Sequence, residues 1–191
     1  MNKLSSQDRS SLIRLASNLP AGSEERKAIL RGLKTSAAGF NVPGVHILDK
    51  ATVIDRAIVS GNAKVFGNAQ VSGYVSVSGK ATVFDNAQVY GSAIMNNNVK
   101  VYGRAKVYGR PMMSGYSQAF DNAEVSGYAE ISGKAQVSGN AQVSGRCLVT
   151  GNARVFGTAD ISGTAEILGG SWDGSEGPIT SGKWKGPGIP A

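Results

Sequence analysis

Twenty-one consecutive six-residue units run from Val45 to Gly170 without an insertion, each close to small-x-aliphatic-x-Gly-x, as in Ala63-Lys64-Val65-Phe66-Gly67-Asn68. Self-similarity at so short a period is the mark of a solenoid, whose units bury their apolar side chains only by stacking on one another. The first position is small in most units, with Val45, Val75, Val99, Pro111, Ser117 and Cys147 as variants, and the third is Val, Ile or Met everywhere except Ala119. Along a strand these two positions face the same way, so small and branched residues together fill a narrow interior. The fifth position is Gly, Asp or Asn throughout. Such residues accept the positive φ that turns the backbone between strands. The simplest unit is a four-residue strand followed by a two-residue corner.

The outward fourth position indicates how many strands make one coil. Phe66, Phe84, Tyr102, Phe120 and Phe156 fall in one series spaced by eighteen residues, broken only by Ser138, and elsewhere the fourth position is aromatic only at Tyr90 and Tyr108. Eighteen residues hold three units, which predicts an all-β solenoid, a three-sided parallel β-helix of about seven coils and ~34 Å in height at ~4.8 Å per layer. An aliphatic residue with a small one four positions later, as in Val65 with Ala69, Val71 with Val75 and Val137 with Ala141, resembles the hexapeptide-repeat, left-handed parallel β-helix family over about two-thirds of the chain. The resemblance implies left-handed coiling, where parallel crossovers are ordinarily right-handed. The chain departs from the family pattern in placing glycine two residues after the aliphatic position rather than immediately after it, which keeps a right-handed helix as the alternative.

The flanks differ in kind. Residues 1–40 carry helical periodicity in Leu12, Ile13 and Leu15 and again in Ile29, Leu30 and Leu33, with Ser5 and Asp8 as a capping box and a break at Leu19-Pro20-Ala21-Gly22. Two short helices are expected, each too short to be stable alone, forming an end cap or docking segment. Residues 41–170 form the β-helix. Residues 171–191 leave the hexad rhythm, are rich in Gly and Pro, and hold Trp172 and Trp184 in similar settings. They read as a cap that blocks open strand edges or as a docking tail.

Chemistry is sparse. One cysteine, Cys147, excludes an intramolecular disulfide and stands where the repeat places Ala, so it reads as core filler. Many hexapeptide-repeat proteins are acyltransferases with a histidine base beside a protruding loop, and others resemble γ-class carbonic anhydrases with three histidines on zinc. His46 is this chain's single histidine, and no insertion interrupts the coils. The zinc site is therefore ruled out, and His46 reads as exposed or helix-capping sooner than as a general base. Asp49, Asp55, Asp85-Asn86 and Asp121-Asn122 supply too few oxygens per corner for calcium and read as turn residues. No catalytic, metal or cofactor-binding set is expected.

Recognition is the remaining source of function. The stripe of Phe66, Phe84, Tyr102, Phe120 and Phe156 either stacks on itself or meets a partner. Lys64, Lys100, Arg104, Lys106 and Arg110 lie near it, and the net charge of +7 favours anionic partners. A second outward series holds Ile58, Ile94, Met112 and Leu148, which the N-terminal helices or another protomer would cover. The leading expectation is a non-catalytic structural or assembly protein, a rod engaging itself, a trimer being one form, or a larger complex. Leu12-Ile13-Arg14-Leu15-Ala16-Ser17 with Leu19-Pro20 and Ser23-Glu24-Glu25-Arg26 is similar to N-terminal segments of phage virion proteins. That similarity implies a capsid, tail or fibre component. The alternatives are a glycan- or nucleic-acid-binding module using the aromatic stripe and an acyltransferase using His46. No apolar run reaches the ~18 residues of a membrane span, and the N-terminus lacks a signal peptide's apolar stretch. Cytoplasmic synthesis and a soluble product are expected, and the N-terminal similarity, if it holds, adds a virion as its destination.

Overall fold

A computed structural model describes Leu15 and residues 40–42, 45–186 and 189–190. Three sheets of nine, seven and nine strands enclose the core, and within each the strands pair with those one coil away. The first face begins with Phe40–Val42 and Val45–Ile47, continues at Lys64–Val65 and ends at Ser171–Trp172; the second runs from Thr52–Val53 to Asp160–Ile161. The third runs from Ile58–Val59 to Lys183–Gly186 and Ile189–Pro190. Val65 pairs in parallel with Val83, Val71 with Val89 and Val77 with Met95, a step of eighteen residues on every face. The chain is thus a three-sided parallel β-solenoid of about seven regular turns.

Alternation builds the interior as expected. Ala at position one and the aliphatic residue at position three are fully buried through the middle coils, as for Ala105, Val107, Ala123 and Val125. Ser117 and Cys147, two of the variants at position one, remain buried because each reaches a carbonyl fourteen residues on: Ser117 Oγ donates to Ile131 O (3.3 Å) and Cys147 Sγ to Ile161 O (3.9 Å). Met95 and Met113 occupy interior positions, so the irregular segments around them are partly core. The small Ala119 follows the large Met113 by one strand, which conserves interior volume.

The strands are shorter than the four residues anticipated. Regular strand geometry covers positions two and three, because position five takes φ near +60 to +85° in each of the first twenty units and draws the chain into a corner, while the amides of positions four and six continue the bonding to the next coil. Position one of the next unit then donates back to position four, as Ala63 N does to Ser60 O (3.4 Å). Aspartate at position five adds a bond that glycine cannot. Asp49, Asp55, Asp85 and Asp121 each accept the N–H of the glycine one coil later, Gly67, Gly73, Gly103 and Gly139, at 3.1–3.3 Å. Along the first corner this yields an alternation of Asp and Gly from Asp49 to Gly139, so no two side chains crowd in adjacent layers.

Pairing passes the expected boundary at residue 170. Ser171–Trp172 pairs with Arg154–Val155, Ile179 bridges Ile161, and Lys183–Trp184 pairs with Glu166–Ile167. The segment makes a further, irregular coil whose offset is seventeen residues on two faces and eighteen on the other. Trp172, 1% exposed, and Ile179 stand at interior positions, and Trp184 meets Trp172 edge-on at 6.0 Å. Each indole N–H is satisfied three residues back, Trp172 by Gly169 O (2.7 Å) and Trp184 by Ser181 O (2.9 Å). Ile189–Pro190 folds back antiparallel on Lys183–Gly186 and covers that sheet edge, as Phe40–Val42 covers Val45–Ile47 at the other end.

At the N-terminal end Ile47, Ala51 and Val53 are only partly buried, and Leu15, which is helical, also packs against the core cluster. The other N-terminal residues expected to dock, Leu12, Ile13, Ile29, Leu30 and Leu33, lie outside the described residues.

Burial pushes the Cys147 thiol up to about 11 from an ordinary 9.0. The unfolded thiol ionises above pH ~9 while the native one keeps its proton, so the native chain binds more protons in that window. Stability is expected to fall as pH rises from about 9 to about 11, by ~1.4 kcal/mol per pH unit from this group. Urea unfolding of the native chain and of Cys147→Ala across that window checks it. The variant should lack this slope.

Candidate functional site: two faces and a corner

Each outward column repeats one coil away, so a side chain meets the residues eighteen positions before and after it. Phe66, Phe84, Tyr102 and Phe120 stack at centroid distances of 4.9, 4.9 and 5.0 Å with planes within 5°. Tyr90 and Tyr108 stack likewise at 5.1 Å on the second face. The rings turn their faces to one another and are half-buried, none of the four reaching the exposure of Tyr74 or Tyr128. Offset stacking of this kind contributes about 0.5–1.5 kcal/mol per pair beyond burial. Phe156 stands apart beyond Ser138, with Arg154 over its ring at 5.9 Å. The column is thus a self-covering ladder more than an open stacking platform. Burial, followed by the Asp121 and Asp85 charges, raises the Tyr102 hydroxyl above its ordinary value.

The basic residues anticipated near the stripe divide among three places. Lys64 and Lys100 flank it on the first face, with Thr82 between them. Arg104 and Lys106 line a shallow cleft of ≈ 420 Å³ with Asn122, Glu124, Asn140 and Gln142. There Lys106 Nζ donates to Glu124 Oε1 at 2.9 Å, which raises the lysine above its ordinary value. That cation is already partnered.

Arg110 lies on the corner between the second and third faces, in a column that a search of position four overlooks. Position six along this corner reads Arg56, Tyr74, Ser92, Arg110, Tyr128, Arg146 and Thr164. The Arg56 guanidinium lies 5.2 Å from the Tyr74 ring centroid, and Tyr128 sits between Arg110 and Arg146 at 5.8 Å from each. Tyr74 and Tyr128 are the most exposed rings of this corner, at 62% and 56%. Reading position six at the eighteen-residue period would have revealed the series.

On the third face Ile58, Ile94 and Met112 are 40, 44 and 41% exposed, in a row broken only by Ser76. Leu148, grouped with them in the sequence, is half-buried and flanked by Glu130 and Glu166, so the apolar patch ends at Met112. The His46 backbone pairs with Lys64 on the first face, and its side chain lies outside the described residues. Among the described residues no three His, Cys, Asp or Glu side chains converge as a metal site would require, and no helix is long and apolar enough to cross a membrane.

These features define a parallel β-solenoid, compatible with a β-helix repeat family, whose faces and corners carry separate residue columns. Comparison with protein-family models, curated proteins and solved structures finds no match to this chain.

Proposed function

We propose that the chain is a non-catalytic structural protein, a stiff prism that assembles with copies of itself or with a larger complex through its third face. The observation that carries this reading is the row of Ile58, Ile94 and Met112, aligned in register on a flat sheet and each at least 40% exposed. An exposed apolar row of this kind, with Ile94 and Met112 in adjacent layers and Ile58 one layer beyond Ser76, marks a contact surface. Parallel sheet on a continuous core is already ordered, so association costs little conformational entropy. The likeness of the N-terminal segment to virion proteins supports a capsid, tail or fibre setting, with residues 1–40 as a docking element.

Light scattering over a range of concentrations tests the reading. The full chain is expected to assemble, and Ile94→Ser with Met112→Ser to weaken assembly about tenfold or more, each exchange withdrawing ~1–2 kcal/mol of apolar burial. Thermal stability of the dissociated chain should stay nearly unchanged, because both positions are outward. A chain that is monomeric at every concentration and joins no complex ends the proposal.

A further inference from the structure

We propose that the corner between the second and third faces binds single-stranded nucleic acid, with a base entering at Ser92 between Tyr74 and Arg110. Three observations converge on it. The column holds three arginines and two tyrosines within six consecutive layers and no carboxylate at position six. Among the described residues, no carboxylate oxygen approaches Arg56, Arg110 or Arg146 within ion-pair distance, the pairs found being Lys106–Glu124 and Lys183–Glu166. Asp55, beside Arg56 in sequence, turns its Oδ2 to Gly73 N.

The guanidinium groups are also oriented. Arg56 lies over Tyr74, and Arg110 and Arg146 lie on the two sides of Tyr128. An arginine held against a ring keeps its edge N–H donors for an anion and loses less freedom when it binds one. Arg110 and Arg146 are two layers apart, ~10 Å along the rod.

The third observation is a missing rung. Every neighbouring layer from Arg56 to Arg146 carries a flat group except that of Ser92, whose small side chain separates Tyr74 from Arg110. With layers ~4.8 Å apart, the planes on either side stand ~10 Å apart, and a flat ring between them would repeat the spacing already seen. The rings of the neighbouring ladder stack at 4.9 Å on that same layer spacing. A nucleobase has the planar π-face such a slot takes, and its phosphates carry the charge the arginines lack. A sulfated or carboxylated glycan satisfies the arginines but has no flat ring for the slot. The site therefore selects the polynucleotide. It does not depend on assembly through the third face.

Fluorescence anisotropy of the full chain with a labelled thymidine oligonucleotide of about 20 residues, at about 50 and about 200 mM salt, tests the site. Binding is expected with log K falling against log salt at a slope of about −2, the value for three contacted phosphates on a single strand. Ser92→Tyr fills the slot without changing charge and should weaken oligonucleotide binding about tenfold, with Tyr74→Ala doing the same by removing one wall. Ser92→Tyr should leave heparin binding unaltered, Tyr74→Ala should weaken heparin less than the oligonucleotide because it also frees Arg56 from its ring, and Arg110→Gln should weaken both ligands. Circular dichroism confirms that each variant is folded. Absence of salt-dependent oligonucleotide binding overturns the proposal, as does a Ser92→Tyr variant that binds as the native chain does. Equal loss of heparin and oligonucleotide in Ser92→Tyr would assign the corner to polyanions in general and reject the base slot.

Discussion

Gly127→Val is expected to destabilise the solenoid by about 4 kcal/mol, more than a typical substitution. Gly127 has φ +68°, and a Cβ built there would lie 2.7 Å from both the N and the O of Gly145 in the next coil. The left-handed conformation alone costs a non-glycine residue ~1–2 kcal/mol, and β-branching adds to it. The close approach costs more than the backbone conformation, because the neighbour is backbone held in the ladder and cannot swing away. The same corner is nearly as tight one coil earlier, where a Cβ built on Gly109 would lie 3.1 Å from the N and the O of Gly127. Gly127→Asn should be milder than Gly127→Ala, since asparagine tolerates the left-handed region, as Asn97 does at φ 60° in an equivalent corner. Chemical unfolding of the three variants gives the order. A valine variant as stable as an ordinary surface substitution would show that the corners yield.

Trp172→Ala is expected to cost about 3–5 kcal/mol, the range for deleting a large buried ring, but the loss should be local. Trp172 is 1% exposed at an interior position of the last coil, with its N–H on Gly169 O and its ring against Trp184. In a solenoid each coil touches only its neighbours, so a defect at one end frays that end while the middle keeps its own contacts. Hydrogen exchange separates the two outcomes. The Arg154 and Phe156 amides, which donate to Gly170 O and Trp172 O, should lose protection. Those of Gln88 and Lys106, which donate to Ala105 O and Ala123 O, should keep it. Uniform loss along the rod would mean that the last coil nucleates the whole structure. Trp184→Ala should have the smaller effect, because that ring is only partly buried.

Much of the fold is legible in the residues, and the reason is local. Ala and Val two apart define an inward side within a single hexad, and Gly, Asp or Asn at the fifth position defines a corner within the same six residues. Phe66, Phe84, Tyr102 and Phe120 then reveal the coil length, because residues that stack must recur once per turn. Strand length is harder to read. Alternation of inward and outward residues continues through position four, whereas regular strand geometry ends at position three ahead of a φ that the pattern does not display, although the amides of positions four and six still bond to the next coil. The terminal coil is harder still, since Trp172 and Ile179 enter the interior without the hexad spacing, and only their pairing with Val155 and Ile161 reveals the role.

The surfaces are less legible. Counting aromatics at position four singles out the first face, yet the rings there spend their faces on one another. The exposed tyrosines sit at position six, a corner position that reads as turn chemistry until neighbouring coils are laid side by side. Leu148 reads as part of the apolar row, but the row ends at Met112 because Glu130 intervenes.

The residues alone therefore dictate the three-sided prism, its interior and its corners, because each depends on contacts repeated every six or eighteen residues and written into every unit. Tertiary packing settles what the rod presents to solvent. Arg110 acquires Tyr128 as a neighbour, Asp85 finds the Gly103 N–H, and Trp172 fills the end of the core only when one coil is laid on the next. Those contacts depend on the register and spacing between coils, which no single hexad encodes.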